Sequence, residues 1–133
     1  MRGAFRIARE VGTDLHDWGS SVWISHPPST GAQKFTIIEG TFKPGGSHSF
    51  HKHPDQEEVV YIVAGEVEQW IEDQKRLLGP GDAAFIPAGI VHASFNAGKT
   101  DAKLIAIFGP SVGVNGFETV EMADETPWSN LRV

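Results

Sequence analysis

The segment GGSHSFHKHPDQEEVVYIVAG, Gly45 to Gly65, decides how this 133-residue chain is read. It runs from a glycine through five residues to His51-Lys52-His53, through four more to Glu58, and through six more to a second glycine. Simple alternation along Ser47 to His53 places Ser47, Ser49, His51 and His53 on one side of a strand and His48, Phe50 and Lys52 on the other. Two imidazoles at i and i+2 lie roughly 7 Å apart along a flat strand, a span that a metal about 2.1 Å from each nitrogen bridges when the strand curves. Pro54-Asp55-Gln56 turns the chain, so an antiparallel return brings Glu58 beside the two rings.

A second cassette, GDAAFIPAGIVHASFN from Gly81 to Asn96, has five residues between Gly81 and Pro87-Ala88-Gly89, two more before His92 and three more before Asn96. Its glycines and prolines build the turn that aims His92, and the Asn96 side chain can close the next turn. With Gly at about 7% and Pro at about 5% of residues, these five fixed positions arise by chance in well under ~1 in 1,000 chains of this size. Three histidines and one carboxylate are the ligand types that a divalent transition metal takes.

Outward from the cassettes, the chain reads as strands and turns. Expected strands are Ser21 to Ser25, the run within Gln33 to Lys43, Glu58 to Val63, Val67 to Asp73, Lys75 to Leu78, Ala83 to Pro87, Ile90 to Phe95, Asp101 to Phe108 and Phe117 to Met122. In Val67 to Asp73 the pattern predicts a solvated face of Glu66, Glu68, Trp70 and Glu72, with Val67, Gln69 and Ile71 inward. Leu104 to Phe108 is apolar on both faces and predicts cover on each side by a second sheet or a subunit. Fifteen glycines, eight prolines and few helix-period segments agree with an all-β chain of one domain. The expected division is an N-terminal arm and first strand at 1–31, a barrel core at 32–122 and a tail at 123–133 that carries Trp128.

The formal net charge of −6, with no cluster of basic residues, argues against nucleic acid and anionic membrane surfaces as partners. There is no cysteine, hence no disulfide or thiolate chemistry, and no apolar run long enough for a signal peptide or a membrane span. A cytoplasmic protein is the expectation. Gly109-Pro110-Ser111-Val112-Gly113 fits the hydrolase pattern G-x-S-x-G, but no helix follows it, and Ser111 is rejected as a nucleophile. Asp73-Gln74-Lys75-Arg76 reads as a solvated hairpin end, and His16, His26 and His48 read as surface residues.

The two cassettes resemble the two sequence motifs of the cupin superfamily, with every fixed position matched and 15 residues between Gly65 and Gly81, as in small single-domain members. The resemblance spans Gly45 to Asn96 and implies a double-stranded β-helix, or jelly roll, with a metal in its mouth. It carries His51, His53, Glu58 and His92 over as ligands of one divalent transition metal: Fe, Mn, Ni, Zn or Cu. Neighbouring Glu57 has the wrong spacing to Gly65 and the wrong strand parity.

Inward-parity neighbours Ser47, Ser49, Gln69, Ser94 and Asn96 offer hydrogen bonds to a small oxygen-bearing ligand but no evident acid or base. That lack favours a dioxygenase-type oxidation resting on the metal. A metal-dependent isomerase, epimerase or lyase needs a titratable partner, and Glu57 and Tyr61 face the wrong way for it. A non-catalytic sensor that holds a ligand in the same mouth is the third reading. Leu104 to Phe108, with Trp18, Trp23, Trp70 and Trp128, predicts surface for a homodimer. Because imidazole must be neutral to ligate, metal affinity is expected to fall below about pH 6.

Overall fold

The structure is a computed structural model that describes residues 2–132; Met1 and Val133, the end positions of the arm and the tail, lie outside the described residues. The expected all-β architecture is present as two facing antiparallel sheets with the jelly-roll arrangement. The strands are β1 (Asp14–His16), β2 (Gly19–Ser25), β3 (Thr36–Phe42), β4 (Ser47–Lys52), β5 (Glu57–Ala64), β6 (Val67–Ile71), β7 (Gln74–Leu78), β8 (Ala83–Ile86), β9 (His92–Asn96), β10 (Ala102–Gly109) and β11 (Val120–Glu121). One-turn helices α1 (Pro27–Thr30) and α2 (Trp128–Leu131) complete the described elements. One sheet has the order β1-β2-β3-β10-β5-β8 and the other β11-β4-β9-β6-β7.

From β3 to β6 and again from β8 to β10 the chain alternates between sheets, so turn chemistry governs the fold. Gly65 shows why. Its φ is +78°, and an added Cβ would lie 2.6 Å from the Asp101 carbonyl oxygen and 2.8 Å from the Ala102 Cα. Only glycine combines that backbone with so close an approach.

Between the sheets, Phe42, Val60, Ile62, Val67, Ile86 and Leu104 are buried, and each large side chain removed from water contributes roughly 1.5–3 kcal/mol. Leu104, Ala106 and Phe108 of β10 face this core, but the second sheet covers only that side: Ile107 is on the opposite face and exposed, where cover was expected as well.

Two further expectations fail outside this core. The face of β6 read as solvated is covered: Trp70 is buried with Phe50, Ala93 and Phe95 under Met122, Ala123, Trp128 and Leu131. The C-terminal segment folds back across the outside of the five-stranded sheet, a contact between positions too distant for local periodicity to register. Trp70 Nε1 donates to Glu68, which also accepts from Arg132. The second failure is parity in β4. Ser47 pairs with Phe95, His48 with Ser94 and His51 with His92, so an extra residue lies between His48 and His51. This bulge turns His48 to the inner face, where it lines the cavity between the sheets.

Candidate metal centre

His51 and His92 are a directly opposed pair on the inner face of the five-stranded sheet. Glu58 lies in β5 of the other sheet, opposite Phe108 on one side and Ile86 on the other, whose buried side chains show that it too points inward. His53 follows β4, with its carbonyl bonded by the backbone N–H groups of Gln56 and Gly89. The four side chains are buried, and one ligand atom from each lies within 4.8 Å of every other. Glu57, one residue from Glu58, is exposed.

Hydrogen bonding sets the histidines. The Nδ1 atoms of His51, His53 and His92 lie 2.6, 2.9 and 3.0 Å from the carbonyl oxygens of Ser49, Glu118 and Ile90. A carbonyl can only accept, so each Nδ1 carries the hydrogen and each Nε2 is left with its lone pair toward the centre. Glu58 Oε1 is 2.8 Å from His92 Nε2 and 3.3 Å from His53 Nε2. The distances are those of hydrogen bonds but the angles are not, and these three atoms are buried without a partner. Three orphaned polar atoms at one point cost free energy unless a cation fills the gap. The group is therefore fit for a metal, with the backbone carbonyls as the outer support that orients ligating imidazoles.

The electrostatics agree. Burial pushes the His51 imidazole down to about 3, which keeps it neutral. Burial works against the Glu58 carboxylate, but the contacts with His53 and His92 outweigh it and bring it down to about 2. Burial also opposes protonation of His92, and there the Glu58 carboxylate prevails and raises its pKa.

Around the centre is a cavity of about 500 Å³. Of the residues expected to meet a ligand, Ser47, Ser49 and Ser94 line it, whereas Gln69 and Asn96 do not. Gln69 Oε1 accepts from the Ser94 hydroxyl, and Asn96 donates to the carbonyls of Phe42 and Thr100 and accepts from the Gly98 N–H. Asn96 closes the following turn, as its position in the cassette predicts. Ser111 bonds the Thr36 hydroxyl at 2.9 Å and does not line the cavity.

Sequence reasoning missed several residues. His48, read as surface, lines the cavity between the rings of Trp18 and Phe42, 4.5 and 4.9 Å away between centroids. The residue is exposed, in agreement with that reading, yet the packing of its ring against Trp18 and Phe42 desolvates the imidazole and brings its pKa down to about 4. His16 also lines the cavity, stacked on Trp18, and only His26 of the three lies outside it. Trp18 and Trp23, assigned to a subunit surface, are cavity walls too. Gln56, read as part of a turn, is buried and donates to the carbonyls of Pro110 and Gly116 while accepting from the Glu118 N–H. It thereby secures the loop whose Glu118 carbonyl orients His53. No local signal separates such a glutamine from an ordinary turn residue.

With this geometry in view, comparison with known proteins is decisive for the family. Residues 38–108, more than half of the chain, match the Cupin domain family. The chain is a cupin. Protein SchB of Streptomyces halstedii is 33% identical over 84 residues, covering 63% of this chain and 61% of that protein. Oxalate oxidase GF-3.8 of Triticum aestivum is 29% identical over 112 residues, 76% of this cupin and 48% of the oxidase. The cupin thus spans roughly half to three fifths of the length of these curated relatives. Among solved structures, KdgF from Halomonas sp. superposes with a TM-score of 0.73 at 25% identity, over 82% of this chain and 94% of that one. An oxalate decarboxylase from Lactobacillus farciminis shares the fold, with a TM-score of 0.74 at 20% identity over 86% of this chain and 34% of that one. No helix among the described residues is long and apolar enough to cross a membrane.

Proposed function

We propose that His51, His53, Glu58 and His92 hold one divalent transition metal and that this cupin catalyses a metal-dependent, dioxygenase-type oxidation of a small oxygen-bearing molecule. The observation that carries the reading is the convergence of three buried, unpartnered atoms, His53 Nε2, His92 Nε2 and Glu58 Oε1, at the edge of a cavity. A redox-active metal bound there would supply electron transfer between such a substrate and dioxygen. The chain's own part is to fix the imidazole tautomers through backbone carbonyls, to keep Glu58 ionised, and to screen the reacting centre from water with aromatic walls. Relatives whose names identify them as oxalate oxidases support a small oxygen-bearing substrate and an oxidative reaction.

Elemental analysis of protein purified without an affinity metal, followed by anaerobic addition of enediols or catechols to the Fe(II) form and then oxygen, tests this. The expected result is oxygen uptake that His92→Ala abolishes. Absence of uptake across the panel with Fe, Mn, Ni, Zn and Cu forms overturns it.

A second reading, metal-assisted proton transfer, is favoured by one observation: His48 supplies the titratable cavity residue that simple alternation had excluded. With its pKa near 4, this imidazole is unprotonated at neutral pH but a weak base. Solvent-deuterium incorporation into a bound carbonyl compound, lost in His48→Gln, would select this reading over oxidation.

We also propose a homodimer through the outer face of the six-stranded sheet. The pairs Val59 with Ile107, Val59 with Phe85 and Tyr61 with Ile105 place these side chains together, and Tyr61, Phe85 and Ile107 are 43%, 53% and 37% exposed. A dimer mass in sedimentation at micromolar concentration, reduced to monomer by Phe85→Glu, is expected; a monomeric parent refutes it.

A further inference from the structure

Charge and shape in the cavity narrow the substrate class beyond a small oxygen-bearing molecule. Among the described residues no lysine or arginine lines the cavity, while the acids Glu58 and Glu121 do. A divalent metal with one carboxylate ligand leaves a local charge near +1, enough for one anionic oxygen. A second carboxylate, or a phosphate, would enter with no cation to meet it, and burying such a charge unpaired is costly.

The walls make the complementary point. Trp18 is held by His16, stacked at 4.5 Å with the ring planes 7° apart, and Trp23 by His26, stacked at 4.3 Å and 24°. Trp18 also packs against Phe42 and His48, and Trp23 against Phe117, so both indoles are held in place where they line the cavity. The floor between them opens at Gly40, where an added Cβ would meet only Leu104 Cδ1, at 3.7 Å. Neither strained backbone nor close approach requires a glycine there. Its effect is space: a larger side chain at position 40 would project into the cavity.

Ser21, the cross-strand neighbour of Gly40, also lines the cavity, but its hydroxyl is taken up by His16 Nε2 at 2.8 Å. The Ser94 hydroxyl is likewise committed to Gln69 at 2.6 Å, and with no lysine or arginine in the lining the metal centre is the anchor for an anionic oxygen. Two fixed indoles and an open floor form a slot suited to a flat apolar group.

We infer that the cavity selects a chelating molecule with one metal-binding oxygen head and an apolar ring lying over Gly40 between Trp18 and Trp23, and discriminates against small dicarboxylates such as oxalate and against phosphate esters. This rests on the metal reading proposed above.

The test compares acetohydroxamate, benzohydroxamate and oxalate by calorimetry on the zinc-loaded protein. The hydroxamates share a metal-binding head and differ in the apolar body. Since each buried methylene is worth a factor of about four in affinity, the phenyl compound should bind at least about tenfold more tightly than the methyl one. Oxalate should bind more weakly than benzohydroxamate. Gly40→Leu should remove the preference for the ring while leaving zinc content unchanged. Equal affinity for the two hydroxamates, or tighter binding of oxalate than of benzohydroxamate, would overturn the inference, and neither result needs the variant to fold. Failure of the parent to bind zinc would sink the metal reading, not the shape argument. The metal-free protein titrated with phenol then reads the cavity alone: saturable quenching of tryptophan fluorescence, lost in Gly40→Leu, supports apolar selection, and no quenching refutes it.

Discussion

The two faces of the five-stranded sheet are made by the same strands and have opposite characters. Its inner face presents His51 and His92 in one cross-strand row and His48, Ser94 and Gln69 in the next. Its outer face presents Phe50, Trp70, Ala93 and Phe95, sealed by the C-terminal segment. An ordinary sandwich puts apolar residues inside and polar ones outside. Here the apolar cover has moved to the outside of one sheet, which frees its interior for polar chemistry near the mouth. Stability and function therefore draw on opposite sides of the same backbone.

That division is open to direct attack. His92→Ala should produce the largest change, a loss of metal affinity of about 100-fold or more, read by calorimetry, because one of four ligands is gone. The metal-free variant should still fold, with a melting temperature lowered only modestly as Glu58 loses one of the two neighbours that offset its burial. A drop of many degrees would show that the inner face also supports the fold. Trp70→Ala is the reciprocal experiment. It should cost about 3–5 kcal/mol in denaturant unfolding by opening a cavity beneath Trp128, with metal affinity little changed under native conditions. Gln56→Ala should sit between the two faces in effect, lowering metal affinity about tenfold by releasing the Glu118 carbonyl from its hold on His53.

The smallest expected effect is the response to pH, which sharpens the contrast within the inner face. His51, held neutral down to about 3, gives stability to the metal-free protein that is present above 6.5 and lost as pH falls from 6.5 toward 3. Glu58, down to about 2, adds a contribution present above 4.5 and lost toward 2. His92 acts in the reverse sense: its contribution is complete below 6.5 and fades as pH rises through its raised pKa. Metal must displace the proton of His92. Affinity should thus begin to weaken above pH 6.5 as the solution is acidified, higher than the value of about 6 expected from ordinary imidazoles. Calorimetry at pH 6.5 in buffers of different ionisation enthalpy should detect proton release on metal binding. No release would show that His92 is already neutral.

The cassettes carried most of the site because their spacing encodes turns as well as ligands. Gly45, Gly65, Gly81 and Gly89 all have positive φ, and they reverse the chain where the sheets exchange strands. In β10 burial alternates although the sequence is apolar on both faces, so composition alone overstated the cover on the side of Ile107. Periodicity failed in β4 at the bulge between His48 and His51, since one unpaired residue reverses every assignment on one side of it. Trp18, Trp23 and Trp70 were recognisable as apolar payload, but their destinations were not. Each packs against residues far along the chain, as Trp23 does with Phe117.

Sequence by itself determined the all-β class, the cupin family motifs and the four residues that meet at the centre, because turn chemistry and residue spacing are local properties. Tertiary structure alone decided that His48 faces the cavity, that two tryptophans form its walls and that the C-terminal segment covers Trp70. Those outcomes depend on strand register and on contacts between distant segments, and no local pattern of residues specifies either.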